Sequence, residues 1–223
     1  MKRIALFARR PEAGRVKTRL SPALPSELAH RLYRGMLLDA FGALRAVPDV
    51  QRLLYWADPP VAAGEDSDPA GFEVRAQRGA DLGARLANAF AELLDPPGAH
   101  AIVIGADCPE LGPRTLERAL AALREHDLVL GPTIDGGYYL IGLRRPVPAL
   151  FQDVHWGTEQ VIAETRARAA ATGTTWVELE PLADVDTPAD LVNLVARALA
   201  AEDFPARHTS AALQVLGLLP DLA

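Results

Sequence analysis

Short, near-continuous apolar runs alternate along this chain with longer segments of helical periodicity, and that alternation constrains the fold more than any other feature. Arg3 to Ala8 is one such run, and Ala101-Ile102-Val103-Ile104, inside His100 to Gly105, is the strongest. Runs without polar alternation mark strands buried on both faces of a parallel sheet. Further strands are expected at Arg52–Ala57, Phe72–Gln77, Asp127–Gly131, Tyr138–Leu143 and Thr174–Leu179. Between them, Leu28, Leu32, Met36, Leu37 and Leu44 stripe a helix from Ser26 to Ala46. Leu82, Leu86, Phe90, Leu93 and Leu94 stripe another, opened by Asp81 and ended by Pro96-Pro97-Gly98. Helices are also expected from Pro113 to His126, from Gly157-Thr158 to Ala171, and from Thr187-Pro188 through Ala201. Strands alternating with helices of this size specify an α/β domain with a mostly parallel central sheet. Residues 58–71, rich in acid, Pro and Gly, read as an exposed loop. The domain is expected to span residues 1–203, with a tail at 204–223 whose apolar stretch packs on the body or on a partner.

Several function classes are excluded by composition. The 223 residues suit one domain, and no apolar run approaches the roughly 18 residues that a membrane span needs. Ile4 to Ala8 stops at Arg9-Arg10, short of the roughly 7 residues of a signal-peptide core. Cys108 is the only cysteine, so intramolecular disulfides and multi-cysteine zinc sites are ruled out and a cytoplasmic location is expected. The net charge of −6 argues against binding a nucleic-acid polymer. That charge is unevenly spread. Residues 1–20 hold seven basic side chains and one acid, a sum of +6, which leaves −12 on the rest.

Ligands of open α/β sheets bind at the carboxyl ends of strands, so the residues that follow each strand carry the chemistry. Arg9 to Leu20 is a cation-rich loop after the first strand. Amides near Gly14, together with Arg15, Lys17 and Arg19, suit a polyphosphate. Lys17-Thr18 lacks both glycines of a Walker A loop, and a single Gly is no dinucleotide fingerprint. A solvated basic loop accounts for the same residues. Of the 23 cations only Lys2 and Lys17 are lysine, which singles out Lys17. Asp107, in Gly105-Ala106-Asp107-Cys108-Pro109, is placed to ligate Mg²⁺ or Mn²⁺, or else to cap a turn. Cys108 has no neighbouring His to activate it and reads as a small buried side chain. In Asp135-Gly136-Gly137-Tyr138-Tyr139, Asp135 suits substrate hydroxyls or a cation and the glycines suit close approach of a substrate, while an Asp-Gly hairpin turn explains them equally well. In Asp184-Val185-Asp186-Thr187-Pro188, Asp184 and Asp186 would share a side if extended, although helix capping also explains the acids. Trp156 either lines the acceptor side or packs structurally.

Together Pro11–Leu20, Gly105–Pro109, Asp135–Leu140 and Asp184–Pro188 closely resemble a bacterial family of GT-A-fold proteins, labelled glycosyltransferase or nucleotide-diphospho-sugar transferase-like. The resemblance covers residues 2–200 and implies a single three-layer α/β/α domain. That family is similar to nucleotidyltransferases that make molybdenum-cofactor dinucleotides and to phospholactate guanylyltransferases. The resemblance implies that Lys17 meets nucleotide phosphates and that Asp107 and Asp186 hold the metal. The molybdenum-cofactor enzymes open on a Gly-rich loop, whereas here only Gly14 precedes Lys17, so phosphate contacts lean on Arg15 and Arg19.

Two reactions fit these residues. In nucleotidyl transfer, a phosphate or hydroxyl of a small acceptor attacks the α-phosphorus of a nucleoside triphosphate, and a phosphate nucleophile needs no general base. Glycosyl transfer from a nucleotide sugar also wants a carboxylate base such as Asp135. Lys17, Asp107 and Asp135 are therefore the candidate catalytic groups, with Asp135, Gly136, Gly137 and Trp156 on the substrate side. Nucleotidyl transfer is favoured by the Lys17 loop. A nucleotide-binding protein without turnover is a third reading, and a homodimer is compatible with all three.

Overall fold

The computed structural model describes residues 1–220 apart from 22, 58–68 and 96. Pro22, Pro96, most of the loop expected at 58–71 and the end of the tail therefore lie outside the described residues. In chain order the elements are β1 (Lys2–Ala8), α1 (Ser26–Ala46), β2 (Gln51–Trp56), β3 (Glu73–Ala76), α2 (Leu82–Leu93), β4 (His100–Gly105) and α3 (Pro113–Ala122), followed by β5 (Leu128–Pro132), β6 (Tyr138–Leu143), α4 (Val161–Ala171), β7 (Trp176–Glu178), α5 (Pro188–Ala200) and α6 (Arg207–Val215). Single 3-10 turns stand at Thr18–Leu20 and Pro148–Phe151.

Seven strands form one sheet in the order β3-β2-β1-β4-β6-β5-β7. Pairing is parallel except that β6 runs antiparallel to both β4 and β5. The apolar runs of β1 and β4 are explained by helices on both faces of the sheet. Ile4, Leu6, Ile102 and Ile104 pack with Leu37, Phe41 and Leu44 of α1 and Leu116 and Leu120 of α3. Ala5, Ala101 and Val103 pack with Leu86 and Phe90 of α2, Phe151, and Ile162 and Ala169 of α4. This is the three-layer α/β fold that the alternation specifies. A third cluster covers the far side of α1, where Leu32 and Met36 meet Leu20, Val185, Leu191 and Leu194 of α5, and Leu213 of α6.

Local signals set most boundaries. The Asp81 side chain accepts a bond from Ala84 N at the start of α2, and Thr187 with Asp190 forms a capping box at the start of α5. Two expected helices are shorter than their sequence periodicity. The α3 helix ends at Ala122 instead of His126, because Arg124 and Glu125 bond three residues back in tightened turns. The α4 helix starts at Val161 instead of Gly157-Thr158. Gly157 has φ +78°, outside the helical region, and the Thr158 hydroxyl donates to His155 O at 2.7 Å. Among the described residues no helix is long and apolar enough to cross a membrane.

The α6 helix docks on α1 through two devices. The Asp39 carboxylate accepts bonds from His208 N at 3.0 Å, Thr209 N at 2.8 Å and the Thr209 hydroxyl at 2.7 Å, capping α6. Gly35 makes room for the approach, since a Cβ there would stand 2.7 Å from the His208 carbonyl oxygen. In an open helix Gly→Ala stabilises by about 0.5–1 kcal/mol. Gly35→Ala is expected to do the opposite, destabilising by about 1–3 kcal/mol through overpacking, as read from the midpoint of urea unfolding; an unchanged or raised midpoint would remove this contact from the fold's support.

Candidate functional site

Strand order reverses beside β1, with β2 on one side and β4 on the other, and the crevice at such a reversal is where open α/β sheets bind ligands. A cleft of about 640 Å³ opens there. Its floor comes from the carboxyl ends of β1 and β4 and the amino end of β6, which the antiparallel direction of β6 brings alongside. The cleft is also lined by Arg9, Arg15, Lys17 and Arg19 from the loop after β1, by Arg85 from α2, and by Asp107 and Asp186.

The loop after β1 is tied at both ends. At its start the Tyr33 hydroxyl of α1 accepts from Arg9 N at 3.0 Å and donates to Arg9 O at 3.1 Å. At its end the Thr18–Leu20 turn buries Leu20 in the third apolar cluster. Gly14, at φ +76°, permits the turn between them. Lys17 sits just before the Leu20 anchor in the left-handed region, at φ 50°, which few residues with a side chain adopt. Asp107 follows β4, and its carbonyl accepts Val185 N at 3.0 Å, which joins the two acidic segments. Asp186 is oriented by the Asp190 carboxylate, which accepts from Asp186 N at 3.1 Å and Thr187 N at 2.7 Å.

These ties converge on one ion cluster. Lys17 Nζ donates to Asp107 Oδ1 at 2.5 Å and to Asp186 Oδ1 at 2.7 Å. The lysine side chain is only 4% exposed, whereas the carboxylates are 48% and 37% exposed, so the ammonium forms the buried base of an open acidic site. Burial alone would lower the Lys17 pKa, but attraction to Asp107 and then Asp186 outweighs it and the pKa is raised. Arg19 stands 3.7 Å from Asp186 Oδ2. Cys108, beside Asp107, has its thiol pushed up by burial and by the Asp107 charge, which keeps it protonated and a poor nucleophile.

The donor set fits a divalent cation of the Mg²⁺ class. Two half-open carboxylates already meet a cation between them, and Mg²⁺ takes one or two carboxylates while substrate phosphates and water complete its shell. Among the described residues no three His, Cys, Asp or Glu side chains are grouped to hold a metal by themselves. Water or substrate oxygens would have to supply the remaining ligands.

Of the residues expected from sequence, Arg15, Lys17, Arg19, Asp107 and Asp186 come together on the cleft; Gly14, Asp135, Gly136, Gly137 and Trp156 do not line it. The Asp135 carboxylate instead accepts from the Thr133 hydroxyl at 2.5 Å and Gly137 N at 3.1 Å, the geometry of a local turn. A Cβ on Gly136 would lie 2.2 Å from the Glu159 carbonyl, so that glycine admits protein backbone. Trp156 packs over Gly83 and edge-on to Tyr138. The sequence carried no signal for Gln77, Arg85 and Tyr33, which do line the cleft, and Tyr138 lines it from within the Asp135–Leu140 motif without having been singled out. Each lies inside or just beyond an ordinary helix or strand pattern, and only the folding of the sheet brings them to one place.

Comparison with known proteins shows the family and the fold. Residues 40–158 match a family described as an uncharacterized protein conserved in bacteria (DUF2064). The 3-phospho-D-glycerate guanylyltransferase of Phenylobacterium zucineum (strain HLK1) is 32% identical over 196 residues, covering 85% of this chain and 88% of that protein. A solved protein of Desulfovibrio desulfuricans G20, described as a nucleotide-diphospho-sugar transferase, has a TM-score of 0.85 and 28% identity, covering 97% of this chain and 96% of its own. Rv0371C of Mycobacterium tuberculosis H37Rv, solved in complex with manganese, shares the fold at a TM-score of 0.50 and 19% identity, covering 86% of this chain and 97% of its own.

Asp184, next to this cluster, has its carboxyl pushed up to about 6 by burial and by the charges of Asp135 and Asp186. A raised native pKa supports stability below the ordinary value of 3.8, and that support is lost as pH rises through 6. Asp184→Asn, which keeps the shape without the charge, should raise the thermal midpoint at about pH 7.5 and leave it nearly unchanged at about pH 3, below the ordinary carboxyl value. Equal shifts at both pH values would contradict the assignment.

Proposed function

The chain belongs to the bacterial DUF2064 family and is a transferase, and from that premise we propose that it moves a nucleotidyl group from a nucleoside triphosphate to a small phosphorylated acceptor. The observation that carries this reading is Lys17 held between Asp107 and Asp186 at the base of a cleft lined by Arg9, Arg15, Arg19 and Arg85. Three or more cations beside two carboxylates suit a polyphosphate that arrives with a divalent metal. GTP as donor and 3-phospho-D-glycerate as acceptor are the first pair to test, because the guanylyltransferase relative is named for them. Mg²⁺ or Mn²⁺ at Asp107 and Asp186 is part of the same proposal, and the solved manganese complex with this fold supports a divalent ion.

The acceptor phosphate oxygen would attack the α-phosphorus, forming a new P–O–P link while the bond to the β-phosphate oxygen breaks and pyrophosphate leaves. A phosphate nucleophile carries no proton that must be removed, and the residues lining the cleft include no histidine. A bound divalent ion supplies neutralisation of the charge that develops on the phosphates. Lys17 and the arginines orient the triphosphate, and guanidinium groups fit its oxygens two at a time. Glycosyl transfer from a nucleotide sugar is the second reading, favoured by the description of the D. desulfuricans protein.

Incubation with GTP, 3-phospho-D-glycerate and Mg²⁺ should release pyrophosphate; nucleoside diphosphate released from a nucleotide sugar, with no pyrophosphate from any triphosphate, would favour glycosyl transfer instead. Asp107→Asn is expected to lower kcat by on the order of a hundredfold or more, several kcal/mol of barrier. Lys17→Ala should weaken triphosphate binding by about 1.5–3 kcal/mol, measured by calorimetry, and an unaltered affinity would take Lys17 out of the phosphate site.

A further inference from the structure

We infer that the Lys17 ammonium is the internal counter-ion of the metal position, holding Asp107 and Asp186 together until a divalent cation displaces it. The two N···O distances, 2.5 and 2.7 Å, put the ammonium between the two carboxylates that would hold a divalent cation. Mg²⁺ binds oxygens at about 2.0–2.1 Å, so the gap has no room for both. Arg19, 3.7 Å from Asp186 Oδ2, adds a second positive charge. Asp107 and Asp186 thus face two cations before any metal arrives. A bare divalent ion entering between them must displace the ammonium, whose charge repels it.

Lys17 has a left-handed backbone, φ 50° and ψ 36°, just before the Leu20 anchor, and its carbonyl accepts Leu20 N at 3.0 Å, so the turn holds the backbone when the ammonium moves. When the carboxylates turn to a metal, the ammonium is released beside Arg9 and Arg15 in the same cleft. In the transfer reaction proposed above, on which this step rests, a triphosphate supplies its new partners. Metal and triphosphate would then enter together, with Asp107 and Asp186 holding the metal and Lys17 and Arg19 the phosphates. Free metal is disfavoured.

Electron paramagnetic resonance of Mn²⁺ tests this on the full chain without turnover. Lys17→Met, which removes the charge and keeps the bulk, should bind Mn²⁺ alone at least about tenfold more tightly than wild type. Arg19→Gln, at an exposed position, should tighten the same binding by about threefold and serves if Lys17→Met fails to fold by circular dichroism. If neither folded variant gains affinity for Mn²⁺ alone, Lys17 is not the displaced counter-ion. A non-hydrolysable GTP analogue should tighten Mn²⁺ binding to wild type. If it does not, while the variants still gain, the exchange stands and the triphosphate reading fails.

Discussion

The ammonium of Lys17 between Asp107 and Asp186 is the interaction on which the cleft depends. Removing a cation from water costs several kcal/mol, and only close, charge-assisted hydrogen bonds offset that cost. The offset requires three loops, separated by most of the chain, to meet within bonding distance. Apolar anchoring achieves this: Leu20 beside the lysine and Val185 beside the second aspartate are both buried in the cluster on the far side of α1. The ionic contact is thus a product of hydrophobic packing, and α5 and α6 serve the site by completing that cluster. Removing one carboxylate would leave the buried ammonium short of a partner, which is why neither aspartate is a merely local feature of its loop.

The N-terminal excess of positive charge divides between structure and site. Arg3 donates to the carbonyls of Glu92 and Leu93 at the end of α2, where a cation meets the negative end of the helix dipole. The guanidinium of Arg10 lies 4.9 Å above the Trp56 ring. Arg9, Arg15, Lys17 and Arg19 remain for the cleft. Even neighbours divide: Arg9, just past β1, lines the crevice, whereas Arg10 lies over Trp56 at the end of β2. A charge sum over residues 1–20 locates the loop, but only the folded chain sorts its members.

The fold was legible wherever a residue pattern had one physical cause. Apolar runs with no polar alternation correspond to β1 and β4, and Asp81 and Thr187-Pro188 mark the helix starts they cap. Periodicity misled where a local backbone demand competed with it, as at Gly157, whose positive φ delays α4. The site was legible as charged residues directly after strands, because strand ends are what the fold brings together. Asp135, Gly136 and Gly137 share that placement, yet their side chains and backbone are taken up by a turn and by its fit against Glu159. In sequence a glycine that admits a ligand and a glycine that admits protein backbone look identical.

The acidic residues near the crevice form two groups of different character. Asp107 and Asp186 face cations and stand half-open to solvent. Asp184 faces carboxylates, Asp135 foremost, and its environment resists charge. They lie on one short segment, with Val185 between Asp184 and Asp186, so proximity in sequence says nothing about which acid takes a ligand. The distinction lies in their partners: Asp186 has its amide held by the Asp190 carboxylate and its Oδ1 on Lys17, whereas Asp184 has Asp135 and Asp186 as its charged neighbours. Asp186 is thereby given to Lys17, and Asp184 is left among acids. Those partners decide which aspartate meets the ammonium, a choice that composition and charge count leave undetermined.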